Sequence, residues 1–302
     1  MLNHKLTIVS VNYNSESLLL DLLNSIKNST NIDFGIKVIV VDNASNLDSL
    51  ERLKKIKWIT LIGSDKNLGF SGGNNLAVPY IEGEYVWFLN PDTYVEPDTI
   101  SFMVKYMDNH REVGVATPKL VLPNGTFDKN CHRGFPTPWN SLCHFLGLGK
   151  LFPRSKSFSG YYMGNLSPTK EAEVDVVGGS SLLVRREVGE QIGWWDESYF
   201  MYGEDIAFTY EVKKRGYKVM YVPQVIVHHH HGASSGLKKS SSSVTRASKE
   251  TKLKSTAATI AAMRIFYNKY YSGKYPFLLT NTILLGISVV GSLRIIRIKL
   301  FG

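Results

Sequence analysis

Short apolar runs alternate with amphipathic stretches through the first ninety residues. The runs at residues 6–11, 36–41, 58–62 and 85–89 predict strands, and the stretches at 16–28, 47–55 and 74–80 predict helices between them. Runs without polar alternation, such as Val38-Ile39-Val40-Val41, suit strands covered on both sides. The order strand, helix, strand repeated in this way predicts an α/β fold, a mostly parallel sheet with helices on both faces. Past Pro97 the pattern predicts a helix to about Met107, then a hairpin over 119–122 turning at Asn124-Gly125. Residues 130–169 hold four prolines, five glycines and many aromatics, which predicts a long loop over a site. Strand character returns over 174–184, around Gly178-Gly179, and in two short segments within 217–227. A Ser/Gly/Lys linker is expected over 234–243 and a helix over 250–271, and no internal repeat is present.

Charge divides the chain differently. Of 302 residues with net charge +9, those from 237 to 302 hold 12 Lys/Arg against the single acid Glu250, while 1–236 hold 23 basic against 25 acidic residues. Two regions follow: a catalytic-sized body over 1–236 and a basic extension over 237–302. Residues 275–293 of the extension are uncharged and largely apolar, bracketed by Lys274 and by Arg294, Arg297 and Lys299. That pattern fits an anionic membrane surface better than nucleic acid, and predicts an interfacial or shallowly inserted helix. A spanning helix and a buried or homodimer-forming helix are the alternatives, since Thr280, Asn281, Thr282 and Ser288 dilute the apolar run. The N-terminus leads straight into a strand without a charged-then-apolar signal segment, which places the expected body at the cytoplasmic face of the membrane. Cys131 and Cys143 have no metal-ligand spacing and are expected to be reduced and structural.

Two acidic motifs carry the candidate chemistry. Asn90-Pro91-Asp92 follows the apolar run 85–89, so Asp92 should project from the carboxyl end of a strand, where open α/β sheets place ligands and a metal-binding carboxylate would sit. Tyr202-Gly203-Glu204-Asp205 follows an aromatic run that includes Trp194, Trp195 and Tyr199, and opens a helix. Its carboxylates would face a ring-walled pocket, a setting for a general base, although a pair serving only the helix dipole and rings serving only the core are the simpler readings. Asp42 ends the second strand, where it would either bind a ribose or base edge or cap the next helix. The Gly-rich segment 67–75 would let backbone approach a phosphate, or be a turn without a ligand; it matches neither the dinucleotide fingerprint nor the P-loop.

Taken together, Val9-Ser10-Val11-Asn12-Tyr13-Asn14, Val41-Asp42-Asn43-Ala44-Ser45, Asn67-Leu68-Gly69-Phe70, Asn90-Pro91-Asp92, Gly178-Gly179-Ser180-Ser181, Tyr202-Gly203-Glu204-Asp205 and the stretch from His229 resemble the GT-A, family 2 inverting glycosyltransferases, most closely the bacterial dTDP-rhamnosyltransferases. The resemblance covers residues 6 to about 235 and implies a GT-A, Rossmann-like fold with a C-terminal helical extension. It implies a nucleotide-sugar donor held by Asn12, Asp42, Asn67, Gly69, Phe70, Asn74 and Asn90, and Mg2+ or Mn2+ on its diphosphate at Asp92, with His229 in reach. Asn90 replaces the usual first acid of the Asp-x-Asp motif and leaves one charged ligand. Asp205 is implied as the base and Glu204 as its neighbour that orients or binds acceptor, with exchange of the two roles left open. Gly178, Gly179, Trp194, Trp195 and Asp196 fall on the acceptor side. The chain departs from the family's pattern at Ala207 and Glu211, where an Asp and an Arg often stand; this bears on an acceptor or phosphate contact rather than on the base. The implied reaction moves L-rhamnose from dTDP-rhamnose to a lipid-linked or growing cell-surface polysaccharide. A UDP-sugar donor (galactofuranose, galactose or N-acetylglucosamine) and a non-catalytic sugar-nucleotide-binding subunit are the competing readings.

Overall fold

The computed structural model describes residues 4–230 and 248–301. The expected linker at 234–243, His231 and the turn Gly232-Ala233-Ser234 lie outside the described residues. Strands β1 (His4–Asn12), β2 (Gly35–Asn43), β3 (Thr60–Ser64) and β4 (Tyr85–Leu89) run parallel in the order β3-β2-β1-β4. Every residue of β4 is buried, as a two-sided covered strand requires. The sheet then becomes mixed. Strand β10 (Ser181–Arg185) joins β4 antiparallel and hands on to β6 (Val113–Val121), which pairs in parallel with β11 (Lys218–His229). Short strands β5 (Thr93–Val95) and β8 (Ala172–Glu173) add antiparallel to β11, and β7 (His132–Arg133) pairs with β9 (Val176–Val177) apart from the main sheet. The two short strands expected within 217–227 are thus one strand, with a register irregularity between Val222 and Ile226.

Helix α1 (Glu16–Lys27) buries Leu19, Leu22, Leu23 and Ile26, the one-face spacing of an amphipathic helix, with Glu16 in its first turn and Lys27 in its last. Helices α2 (Leu47–Leu53), α4 (Thr99–Asn109) and α7 (Arg186–Ile192) complete the packing of the body. The expected loop at 130–169 holds two short helices, α5 (Pro138–Phe145) and α6 (Leu148–Leu151), the first started by Thr137, which accepts from the Asn140 amide, and by a proline in its first turn.

The helix expected at 74–80 starts earlier. Helix α3 (Gly69–Asn75) covers the Gly-rich segment itself, and only a 3-10 turn, Val78–Tyr80, follows. Poor helix formers adopt this shape because tertiary partners satisfy the first amides: Gly69 N donates to Asn67 Oδ1 (2.8 Å) and Phe70 N to the Phe200 carbonyl (2.8 Å). Asn43 ties the loop to β2, accepting from Leu68 N and donating to Gly69 O and Asn67 Oδ1. Close approach explains the glycines. A Cβ on Gly73 would meet Val11 at 2.8 Å, and one on Gly69, whose φ is +74°, would meet the Phe200 carbonyl oxygen at 2.1 Å.

The extension is not an appendage. Helix α9 (Lys249–Tyr270) packs across α8 (Glu204–Lys214) in a second apolar cluster of Tyr199, Ala207, Ala262, Phe266, Tyr267 and Tyr270, and α10 (Phe277–Phe301) lies along α9. Lys269 donates to Asp196 (2.8 Å) and Ser255 to the Tyr202 hydroxyl (2.9 Å). Among the described residues no helix is long and apolar enough to cross a membrane. Helix α10 nevertheless leaves Phe277, Leu278, Leu285, Val289, Leu293, Ile296 and Leu300 exposed.

Gly69→Ala should cost about 3 kcal/mol of unfolding free energy in denaturant melts, because it adds a backbone clash to a left-handed φ. A loss under about 0.5 kcal/mol would show that the loop relaxes away from Phe200 freely.

Candidate active site

The functional side chains collect at one edge of the sheet because the strands that bear them share a direction. Asn12, Asp42 and Asn90-Pro91-Asp92 stand at the carboxyl ends of parallel β1, β2 and β4, and His229 ends β11, which runs the same way. Strand β10 runs opposite, so its leading residues Gly178 and Gly179 reach that edge too. Asp42 is buried and accepts from Asn12 Nδ2 (2.9 Å) and from the Ser45 amide (3.1 Å). It does not cap α2; Asn46 does, accepting from Ser49 N. Asn67 and Asn74 hydrogen-bond within their own segment, Asn74 to the Phe70 carbonyl. Asn90 sits at the turn after β4, its amide on Ser180 O and its carbonyl accepting from Thr93.

Asp92 and His229 are both buried and face each other, with Nε2 of the ring 3.6 Å from Asp92 Oδ1. The other ring nitrogen, Nδ1, is 2.9 Å from Asp128 Oδ2. Burial alone would lower this imidazole, but the hydrogen bonds to Asp128 and Asp92 outweigh it and raise the ring to about 9. Once Nε2 has released its proton, a carboxylate oxygen beside an imidazole whose far nitrogen is anchored on a second carboxylate is a donor set that Mn2+ accepts and that suits Mg2+ less well. Among the described residues no three His, Cys, Asp or Glu side chains gather tightly enough to hold an ion alone. Its remaining ligands would therefore come from a bound diphosphate and water.

Glu204 and Asp205 open α8, both nearly buried. Asp205 is clamped: Arg133 of β7 pairs with Oδ2, the Gly179 amide lies 3.4 Å from the same oxygen, and the Ile206 amide donates to Oδ1 (2.8 Å). Glu204 Oε2 has no hydrogen-bond partner among the described residues. Its carboxyl is pushed up to about 8 by burial and by the neighbouring Asp205, against a smaller opposing pull from Arg133. One guanidinium therefore faces two desolvated carboxyls, and the arrangement favours one proton on Glu204 with the negative charge on Asp205.

The rings of the aromatic run serve the core, the simpler of the two expectations for them. Trp195 is buried and packs edge-on against Phe70 and Phe88 (5.0 Å each) and against Phe208. Trp194 is wedged against Gly189 and Phe88, and Asp196 is taken up by Lys269 and Ser198. Gly179 does reach the site, with Phe70 and Asp205 against its α-carbon. Sequence reasoning missed Arg133, Asp128 and Asn43. The first two lie in a stretch without periodicity, where no spacing signals a partner.

Comparison with known proteins identifies the family. The family model for glycosyl transferase family 2 matches residues 7–167, more than half of the chain, and ends before Glu204. The hexosyltransferase Agl10 of low-salt glycan biosynthesis in Haloferax volcanii is 29% identical over 220 residues, 71% of this chain and 63% of that protein, so this chain spans under two thirds of that relative. The N-acetylglucosaminyl-diphospho-decaprenol L-rhamnosyltransferase of Mycobacterium tuberculosis is 27% identical over 235 residues, 74% of this chain and 75% of that one. In three dimensions the mannosyltransferase PcManGT of Pyrobaculum calidifontis, solved with GDP-Man and Mn2+, aligns over 98% of this chain and 73% of its own with a TM-score of 0.57 at 16% identity, which shows a shared fold. The chain belongs to glycosyl transferase family 2 and has the GT-A architecture.

Folding raises the Glu204 carboxyl above its ordinary value of 4.5, so its stability contribution is complete below that pH and is lost as pH rises towards about 8. Glu204→Gln cannot ionise. From about pH 5 to 8 wild type should lose roughly 2–4 kcal/mol of unfolding free energy relative to the variant, and parallel curves would show that Glu204 is ionised throughout.

Proposed function

We propose that this member of the family is an inverting glycosyltransferase that moves L-rhamnose from dTDP-rhamnose to a sugar hydroxyl on a lipid-linked glycan at the cytoplasmic face of a membrane. The observation that carries the catalytic part is the convergence on one sheet edge of Asn12 with Asp42, Asp92 with His229, and Asp205 with Arg133. The relative from Mycobacterium tuberculosis, named for L-rhamnosyl transfer to a diphospho-decaprenol acceptor, supports the choice of sugar and acceptor.

In this reading Asp42 and Asn12 hold the nucleoside, and the α3 loop lines the donor's other side. A divalent cation held by Asp92 and His229 would offset charge on the departing nucleoside diphosphate. Asp205, ionised beside Arg133, accepts the acceptor hydroxyl proton as that oxygen bonds to the anomeric carbon; the bond from that carbon to the phosphate oxygen breaks on the opposite face, and the diphosphate leaves with the electron pair. Glu204 keeps its proton and holds the pocket at a single negative charge. The exposed apolar face of α10, with Arg297 and Lys299 near its end, suits an interfacial position on anionic lipid.

Nucleoside diphosphate release across a panel of sugar nucleotides tests the proposal. Wild type should act on dTDP-rhamnose, lose activity in EDTA and regain it with Mn2+. Asp205→Asn should lose about 10²- to 10⁴-fold, Asp92→Ala should weaken the metal response, and Glu204→Gln should stay within about tenfold of wild type. The opposite ranking of the two acidic variants would exchange their roles. Release from a UDP-sugar alone would reassign the donor, and donor binding without turnover by any variant or lipid acceptor would leave a binding subunit.

A further inference from the structure

Beside the acid pair lies a cavity of about 590 Å³ that neither the donor nor the metal reading uses. Three helices distant in sequence supply its walls, through Leu142 and Phe145 of α5, Ala262 and Phe266 of α9, and Ile287 and Val290 of α10. Arg133 and Gly203 also line it, so the cavity abuts the residues that hold Asp205 and precede Glu204. A space of this size and character belongs to the range that binds small apolar molecules.

We propose that this cavity receives the phosphate-proximal part of the hydrocarbon chain of a polyprenyl-diphosphate-linked acceptor; the inference rests on the glycosyltransferase reading and adds the site where the lipid is recognised. Four observations argue for a chain that carries an anionic head. The walls are largely apolar, and the described lining residues include two cations, Arg133 and Arg294, and no acid. Arg133 borders both the cavity and Asp205, so a diphosphate there would set its attached sugar at the base while the chain runs the other way. Helices α5 and α10 meet across the cavity, the Arg294 guanidinium standing 5.8 Å from the centre of the Phe145 ring. Both of those helices leave apolar side chains exposed nearby, Leu142 and Phe145 on one and Leu285, Val289 and Leu293 on the other. The cavity cannot enclose a long polyprenyl chain, and this exposed apolar margin lets the remaining units continue into lipid.

Gly286 provides the test. It lines the cavity, and a Cβ placed on it meets nothing within 4 Å, so Gly286→Leu adds apolar bulk at the cavity wall from an unobstructed position and with better helix propensity than glycine. The full chain in phosphatidylcholine nanodiscs is titrated with farnesyl diphosphate, farnesol and inorganic diphosphate, and donor hydrolysis is followed in parallel. Farnesyl diphosphate should bind wild type more tightly than farnesol or inorganic diphosphate, and Gly286→Leu should weaken it at least about tenfold, while inorganic diphosphate binding and donor hydrolysis change less than about threefold. Gly286→Ala, which shares the gain in propensity without the bulk, should stay within about threefold of wild type. Equal farnesyl diphosphate binding by Gly286→Leu and wild type overturns the chain site, and equal binding of farnesol and farnesyl diphosphate overturns the role of the anionic head. Chain binding that is sensitive to Gly286→Leu, with no turnover of any sugar nucleotide by wild type when a polyprenyl-diphosphate-linked sugar is supplied, would keep the site and sink the glycosyltransferase reading instead.

Discussion

Two buried carboxyls share one partly buried guanidinium at the start of α8, and the rest of the site follows from how that imbalance is met. A second buried negative charge would need a second cation, and among the described residues Arg133 is the one ion-paired with either acid. The economical state places a proton on Glu204 and leaves Asp205 ionised against Arg133. Surroundings alone thus set two chemically similar carboxyls apart, one neutral and one charged. The N-terminal end of α8 adds a favourable field for the remaining charge, and Lys213 and Lys214 in its last turn answer the other end of the dipole.

Holding Arg133 in place takes most of the less regular part of the fold. Among the described residues its strand, β7, pairs only with β9, which leads through Gly178-Gly179 into β10, the antiparallel strand set between β4 and β6. The amide of Gly179 then faces the same Asp205 oxygen that Arg133 binds. From the other side, α3 is fixed to the segment before α8 by the Phe70 amide on Phe200 O, which links the donor edge to the acid pair. The basic extension closes the third side. By packing α9 on the aromatic face of α8, with α10 lying along α9, it braces the helix that carries the acid pair.

The regular half of this architecture was legible from the sequence because buried parallel strands are written as unbroken apolar runs. Residues 36–41 and 85–89 fell within β2 and β4 for that reason, and Asp42 and Asp92 followed as residues at strand ends. Helix α3 was misplaced because its stability comes from Asn43 and Phe200, distant in sequence, rather than from its own glycines. Asp128 and Arg133 were invisible for a related reason: each acquires meaning only from a partner about 70 or 100 residues away, His229 or Asp205, and neither lies on a periodic face. For Trp195 a core role was the simpler expectation from the aromatic run before the acidic motif, and the ring fills the core between Phe70, Phe88 and Phe208.

The chemistry of the acid pair turns on where its single proton resides. Infrared difference spectroscopy at neutral pH, comparing wild type with Glu204→Gln, reports that directly through the stretching band of a protonated carboxyl. Such a band is expected in wild type and its loss in the variant, with Asp205 paired to Arg133 in both. A wild-type spectrum with no protonated carboxyl at neutral pH would mean that both acids are charged, and would remove the physical basis for assigning the base to Asp205.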